Sequence, residues 1–278
     1  MYNAGTSRVK NNNTPQMTLN YVARIENYAF YESDISKVSI PASVTTIGKH
    51  AFKLCTALTE ATVAGAATLL EGAKEAREAY DNADLNNNLC YRYAVTRDYM
   101  YRNKRSVEMY VTYEPQMSQI SEWLKQLFGE SEGKEKKGLL PGSVTFSTDL
   151  HSLGQFVQDG TPLLFETIIN VLNPQENICV PHDDEDLDGL NYLEGKDLGF
   201  VNQKAFEGTL AAHHDDGNVP CAVFYIDELN AKTLGYLFYF FMRACAMSAY
   251  MLEINPFNQP GVEVYKKNMF HLLGKKGY

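Results

Sequence analysis

One pattern repeats near the amino terminus and then stops. IENYAF (Ile25–Phe30) returns as IGKHAF (Ile47–Phe52), 22 residues later. Apolar residues come back in step after each copy: Ile35, Val38 and Ile40 after the first, then Leu58, Ala61 and Val63 after the second. A period of about 20–29 residues is that of a solenoid, in which each repeat buries its apolar ladder on the next. SIPASVTT (Ser39–Thr46) lies between the copies, with Pro41 where a short strand would turn. Two copies fall below the roughly three repeats such a stack needs to stand alone. Residues 1–62 are therefore expected to form a β-rich solenoid fragment, and the rest of the chain must fold by other rules.

The pattern changes within LTEATVAGAATLL (Leu58–Leu70), which places a second segment at residues 63–278. Ala67–Asn82 carries apolar residues at helical spacing with Glu, Lys and Arg on the other face. Asn86–Asn103 reads as a second helix with Asn at its cap, and Arg105–Tyr113 alternates like a strand. A helix over Met117–Phe128 gives way to a turn, GESEGKEKKG (Gly129–Gly138). Thr161–Leu172 and Val219–Ile226 are further strands, with an acidic loop (His182–Leu190) and a helix from Asn202 to Ala212 between them. Helices over Thr233–Leu252 and Gly261–Leu273 close the chain. Helix alternating with strand means α/β, with a partly parallel sheet covered on both faces.

The formal charge of −9 argues against a nucleic-acid partner, which would select a basic face. It also leaves any phosphate site to local cations and backbone N–H groups. Thr233–Leu252 is long enough to span a membrane, but Arg243 sits inside it, so a buried core helix is the better reading. The amino-terminal stretch has no apolar signal-peptide region. Five cysteines (Cys55, Cys90, Cys179, Cys221, Cys245) without metal-type spacing fit a reducing, cytoplasmic setting.

The repeat, with its I-x-x-x-A-F pattern, resembles the BspA-type leucine-rich repeat. Four later stretches, in order, resemble bacterial glucose-6-phosphate isomerases: YEPQMSQISEWLKQLFGESEGK (Tyr113–Lys134), FSTDLHSLGQFVQDG (Phe146–Gly160), DLDGLNYLEGKDLGFVNQKAFEGT (Asp186–Thr209) and INPFNQPGVEVYKKNMFHLLGK (Ile254–Lys275). The resemblance implies an SIS-type doubly wound sheet, the second of the family's two such domains. Nothing recognisable of the first, which carries the family's phosphate-binding Ser/Thr loops and a Gly-Gly-Arg motif, occurs in this sequence. Asn258 stands where the family more often has Asp, and Ala211–Pro220 is one residue longer than the usual turn.

The chemistry so implied is aldose–ketose isomerisation of glucose 6-phosphate and fructose 6-phosphate without a cofactor. One carboxylate moves a proton between C2 and C1 of a cis-enediol, on one face. By resemblance that base is Glu130. His151 and Lys266 match the residues assigned to ring opening; Lys267 is chemically equivalent to Lys266, and the spacing from Gln259 selects Lys266. Gln259 matches the residue that helps hold the phosphate end, or is a loop amide capping the next helix. In the family the histidine comes from the neighbouring subunit, which implies a homodimer. Glu132, Lys134, Lys136 and Lys137 read as a solvated charged loop around Glu130.

No metal is expected. His213, His214, Asp215 and Asp216 are adjacent rather than at i, i+4, and His182–Asp188 lacks the spacing of a calcium loop. The competing reading is a non-catalytic chain, truncated or fused, in which leucine-rich repeats form a binding segment.

Overall fold

The computed structural model describes residues 16–18, 24–32, 34–40, 46–47, 51–53, 55–56, 58, 60–63, 65–174 and 178–277. The turn expected at Pro41 lies outside them. The chain divides into two compact units, residues 1–70 and 71–278.

In the first unit, β1 (Gln16–Thr18), β3 (Lys37–Ile40) and β5 (Glu60–Val63) form one parallel sheet, and β2 (Arg24–Ile25) pairs in parallel with β4 (Thr46–Ile47). The register joins residues one repeat apart: Ile25 faces Ile47, and Val38 faces Ala61. Phe30 and Phe52, the last residues of the two copies, stack with centroids 5.1 Å apart. The Phe30 N–H donates to the Ala51 carbonyl at 2.7 Å. Equivalent residues thus sit one above the other, as a solenoid requires.

The second unit is built on a four-stranded sheet in the order β7-β6-β8-β9, with every pair parallel. Its strands are β6 (Val107–Thr112), β7 (Leu140–Thr145), β8 (Leu164–Val171) and β9 (Cys221–Ile226). The expectation of a partly parallel sheet is thereby sharpened: every return is made by a crossover, so no strand reverses. β7 is not among the expected strands, because LPGSVT carries Pro and Gly where a strand is least expected. It is an edge strand, the place where a sheet tolerates Pro.

Among the described residues the helices of this unit are the greater part of α1 (Ala66–Ala79), then α2 (Leu89–Arg102), α3 (Ser118–Glu132), α4 (Gln155–Asp159), α5 (Leu198–Ala211), α6 (Ala231–Met251) and α7 (Pro260–Leu272). Caps set their starts. The Asn88 side chain accepts from the Tyr91 N–H, Asp197 from Phe200, and Asn230 from Thr233. The Asp197 cap moves the start of α5 ahead of the expected Asn202.

Alternate strand residues face opposite layers. Tyr110 and Ile169 join Tyr93, Leu124, Phe128, Phe240 and Phe241 beneath α2, α3 and α6. Val111 and Ile168 turn the other way, toward Phe206 of α5. The apolar run expected as a core helix is α6, with Leu237, Phe240, Phe241, Ala244, Cys245, Ser248 and Ala249 buried. Arg243 donates from the same helix to the Tyr239 and Tyr91 hydroxyls. Among the described residues no helix is long and apolar enough to cross a membrane.

Burial also sorts the thiols. Cys90 and Cys245 are buried, and burial pushes each up to about 12, whereas Cys179 is exposed. In the native protein an aromatic disulfide reagent is expected to label Cys179 rapidly and Cys90 and Cys245 only after urea unfolding. Peptide mapping of the labelled sites checks this; fast native labelling of Cys90 contradicts the packing of α2 on α6.

Candidate active site

α3 sets the direction of Glu130. Its buried residues are Ser121, Leu124, Phe128 and Glu132, one inward stripe at spacings of three and four. The last is a carboxylate where an apolar residue would ordinarily stand. It meets Arg97 of α2 (Nη1–Oε1 2.5 Å), whose Nε donates to Glu108 of β6 at 2.7 Å and whose Nη1 donates to Ser248 of α6 at 2.7 Å. The guanidinium lies 3.9 Å from the centroid of Phe128. Burial opposes its charge, but Glu108 and Glu132 outweigh that and raise its pKa well above the ordinary value. Glu132 is thus fully buried, which corrects its reading as part of a solvated loop. The helix likewise runs to Glu132 and does not end at Phe128, because this ion pair holds its last turn.

Glu130 stands two residues earlier, about 200° around the helix, and is exposed. It is helical, not part of a turn as expected. The loop after it is tied down: Lys134 Nζ donates to the Asn255 carbonyl at 2.5 Å, and Lys137 Nζ to that of Leu252 at 3.0 Å. Burial lowers the Lys134 ammonium from its usual value. These two lysines therefore fasten the loop to the turn between α6 and α7, and are not freely solvated as expected. Between them lies a groove of about 510 Å³, lined by Gly133–Lys137 on one side and by Asn255, Asn258, Pro260 and Gly261 on the other.

Glu130, Gln259 and Lys266 are not themselves among the residues that line this groove; Gln259 lies in sequence between its lining residues Asn258 and Pro260, and Lys266 further along α7. Gln259 is the residue before α7; its side chain makes no capping hydrogen bond, so of its two readings the capping amide is the one the structure removes. Lys266 is half-buried and pairs with Glu263 of its own helix at 3.2 Å. None of the residues of α7 is buried, and Val264, Tyr265, Met269 and Leu272 are exposed.

His151 is elsewhere. It is exposed, in a turn (Leu150–Gly154) that follows the carboxyl end of β7, whereas α3 ends beside the start of that strand, with Gly129 against Pro141. The six residues of β7, at about 3.3 Å each, put roughly 20 Å between these edges. Within one chain the structure brings the segments bearing Glu130, Gln259 and Lys266 to one edge of the sheet and leaves His151 at the other.

The histidines weighed as metal ligands diverge. His213 is buried with Nδ1 at 3.1 Å from Glu166 Oε1, while His214 is exposed and bonds Asp215 at 2.8 Å. Among the described residues no group of three or more His, Cys, Asp or Glu is placed to hold a metal ion.

A parallel sheet with helices packed on both faces defines a doubly wound α/β protein. The phosphoglucose isomerase family model matches residues 53–276, and the BspA type leucine rich repeat region model matches residues 9–73. The chain belongs to the phosphoglucose isomerase family. It is 60% identical over 210 residues to the glucose-6-phosphate isomerase of Clostridioides difficile (strain 630), a match covering 76% of this chain and 46% of that relative. It is 54% identical over 210 residues to that of Bacillus cereus (strain AH187), again covering 76% and 46%. The chain thus spans about half the length of these curated relatives. Among solved structures, a hypothetical protein of Thermus thermophilus superimposes with a TM-score of 0.72 at 23% identity, over 85% of this chain and 62% of that one. A glucose-6-phosphate isomerase of Chlamydia trachomatis D/UW-3/Cx gives 0.64 at 15%, over 89% and 54%; both likenesses speak for the fold.

Proposed function

We propose that residues 63–278 form an SIS-like domain carrying the proton-transfer half of a glucose-6-phosphate isomerase site. Glu130 takes the proton from C2 of open-chain glucose 6-phosphate, giving the cis-enediol, and returns it to C1 to give fructose 6-phosphate. Lys266 and His151 serve ring opening, one giving a proton to the ring oxygen and the other taking that of the C1 hydroxyl. Gln259 holds the phosphate end. No cofactor enters, because oxidation at C2 is balanced by reduction at C1 within the same molecule; one carboxylate suffices because both protons lie on one face of the intermediate.

The observation that carries this reading is that the segment after α3 and the start of α7, which flank Glu130 and Gln259 in sequence, face each other across one groove. The separation of His151 from that groove supports a homodimer, in which His151 of each copy completes the site of the other. The exposed apolar residues of α7 support an assembly in which further protein covers that helix. The family's chemistry belongs in the cytoplasm.

Solvent exchange tests the base. In deuterium oxide the purified chain is expected to wash deuterium slowly into C2 of glucose 6-phosphate, read by proton NMR over days. Glu130→Gln should slow that exchange about 100-fold or more, with an unchanged far-UV spectrum because Glu130 is exposed. Exchange no faster in the parent chain than in Glu130→Gln removes Glu130 from the role.

A further inference from the structure

A second concavity of about 400 Å³ lies at the carboxyl ends of β6, β7 and β8. β7 lies to one side of β6 and β8 to the other, so the strand order reverses there. In open parallel sheets that reversal opens a crevice outside the strand ends where ligands bind. The size falls in the range of small-molecule sites. None of Glu130, His151, Gln259 or Lys266 lines it, so the inference does not rest on the isomerase reading.

Its chemistry is specific in what it offers and what it refuses. Glu114, Asn202, Ser147 and Thr148 supply the polar groups that line it. The Asn202 Nδ2 group donates to the Tyr113 carbonyl at 3.1 Å and to Glu114 Oε1 at 3.2 Å, which fixes both side chains. Glu114 Oε2, Asn202 Oδ1 and the hydroxyls of Ser147 and Thr148 have no hydrogen-bond partner among the described residues. Two acceptors and two hydroxyls in one cleft thus have no partner among the described residues, and Pro115, Pro174, Leu198 and Val201 give it apolar walls. No Lys, Arg or His is among the lining residues. The start of α5, which would attract an anion, is already occupied: the Asp197 carboxylate accepts from the Phe200 N–H at 2.7 Å. Burial raises the Glu114 carboxyl above its usual value, and the Asn202 hydrogen bond works against that rise.

We propose that this switch-point cleft binds a small polyol without negative charge, an unphosphorylated sugar or sugar alcohol. Its hydroxyls donate to Glu114 and Asn202 and exchange hydrogen bonds with Ser147 and Thr148, while its C–H faces lie on the proline and aliphatic walls. A phosphate ester is disfavoured by the Glu114 carboxylate and by the lack of a cationic side chain among the described lining residues.

The test is an NMR titration of the ¹⁵N-labelled full chain with D-glucitol, and in parallel with inorganic phosphate. Saturable shifts from glucitol are expected at Tyr113–Glu114, Thr145–Thr148 and Leu198–Asn202, with none there from phosphate. Glu114→Gln should weaken glucitol about tenfold or more, the effect of losing a hydrogen bond to a charged group. The double variant Ser147→Ala, Thr148→Ala should weaken it as well; both residues are exposed, so this variant keeps the fold and separates a binding effect from a folding one. Absent or scattered shifts, unchanged affinity in both variants, or phosphate binding more tightly than glucitol in this cleft would each overturn the proposal.

Discussion

Replacing Arg97 with leucine is expected to destabilise the second unit by about 3–5 kcal/mol, the cost of stranding a buried charge by removing its partner. Arg97, Glu108 and Glu132 are all fully buried, and one guanidinium serves two carboxylates. The two carboxylates differ in what they would have left. Glu108 also accepts from the Tyr93 hydroxyl, from Thr167 at 2.7 Å and from the Tyr110 hydroxyl at 3.0 Å. Glu132 bonds through Oε1 to Arg97, and its Oε2 has no partner. Most of the penalty therefore falls on Glu132, and through it on the last turn of α3 that aims Glu130. The double variant Arg97→Leu, Glu132→Leu should recover much of the loss, because two apolar side chains replace a charge pair that had to be desolvated. Urea unfolding followed by Trp123, the only tryptophan, reads both variants. A loss below about 1 kcal/mol in Arg97→Leu would mean that water reaches the cluster.

This cluster also marks where sequence reasoning stops. Strand β6, α2 and α6 are legible because a two-residue or helical period of apolar residues, with Asn at a cap, leaves little choice. β7 is hidden because the stability of LPGSVT as a strand comes from its neighbour and its edge position, neither of which is a local property. Glu132 is misread because the Lys and Glu residues crowded around it resemble a solvated loop. A signal is present: Glu132 continues the stripe of Ser121, Leu124 and Phe128, and a carboxylate on an inward face requires a buried cation. Which cation is not legible, since Arg97 is 35 residues away. The groove after α3 depends on the same kind of long-range fact, namely that Lys134 and Lys137 reach carbonyls more than a hundred residues on. The BspA-like repeat is the easiest element to find, because its register is the sequence period itself.

Net conversion of fructose 6-phosphate by the purified 278-residue chain is expected to be about 10⁴-fold or more below that of a full-length relative, even though Glu130 is present. A base contributes about 10²–10⁴-fold only once the substrate is held for it. Holding and aligning the sugar supplies a larger share of the acceleration, and electrostatic stabilisation of the enediol oxygens adds about 10²–10³-fold per group. The resemblance assigns both tasks to phosphate loops and an arginine with no counterpart in this sequence. The groove after α3 has poor substitutes: Lys134 and Lys137 are committed to backbone carbonyls, and Glu135 lines it beside them. A coupled assay with excess glucose-6-phosphate dehydrogenase measures this directly. The loss should fall on kcat as well as KM, since binding energy that is missing at the phosphate is also missing in the transition state. Turnover within about tenfold of a full-length relative would mean that this chain grips and polarises the sugar with groups of its own, Lys136 and the first turn of α7 being the nearest at hand.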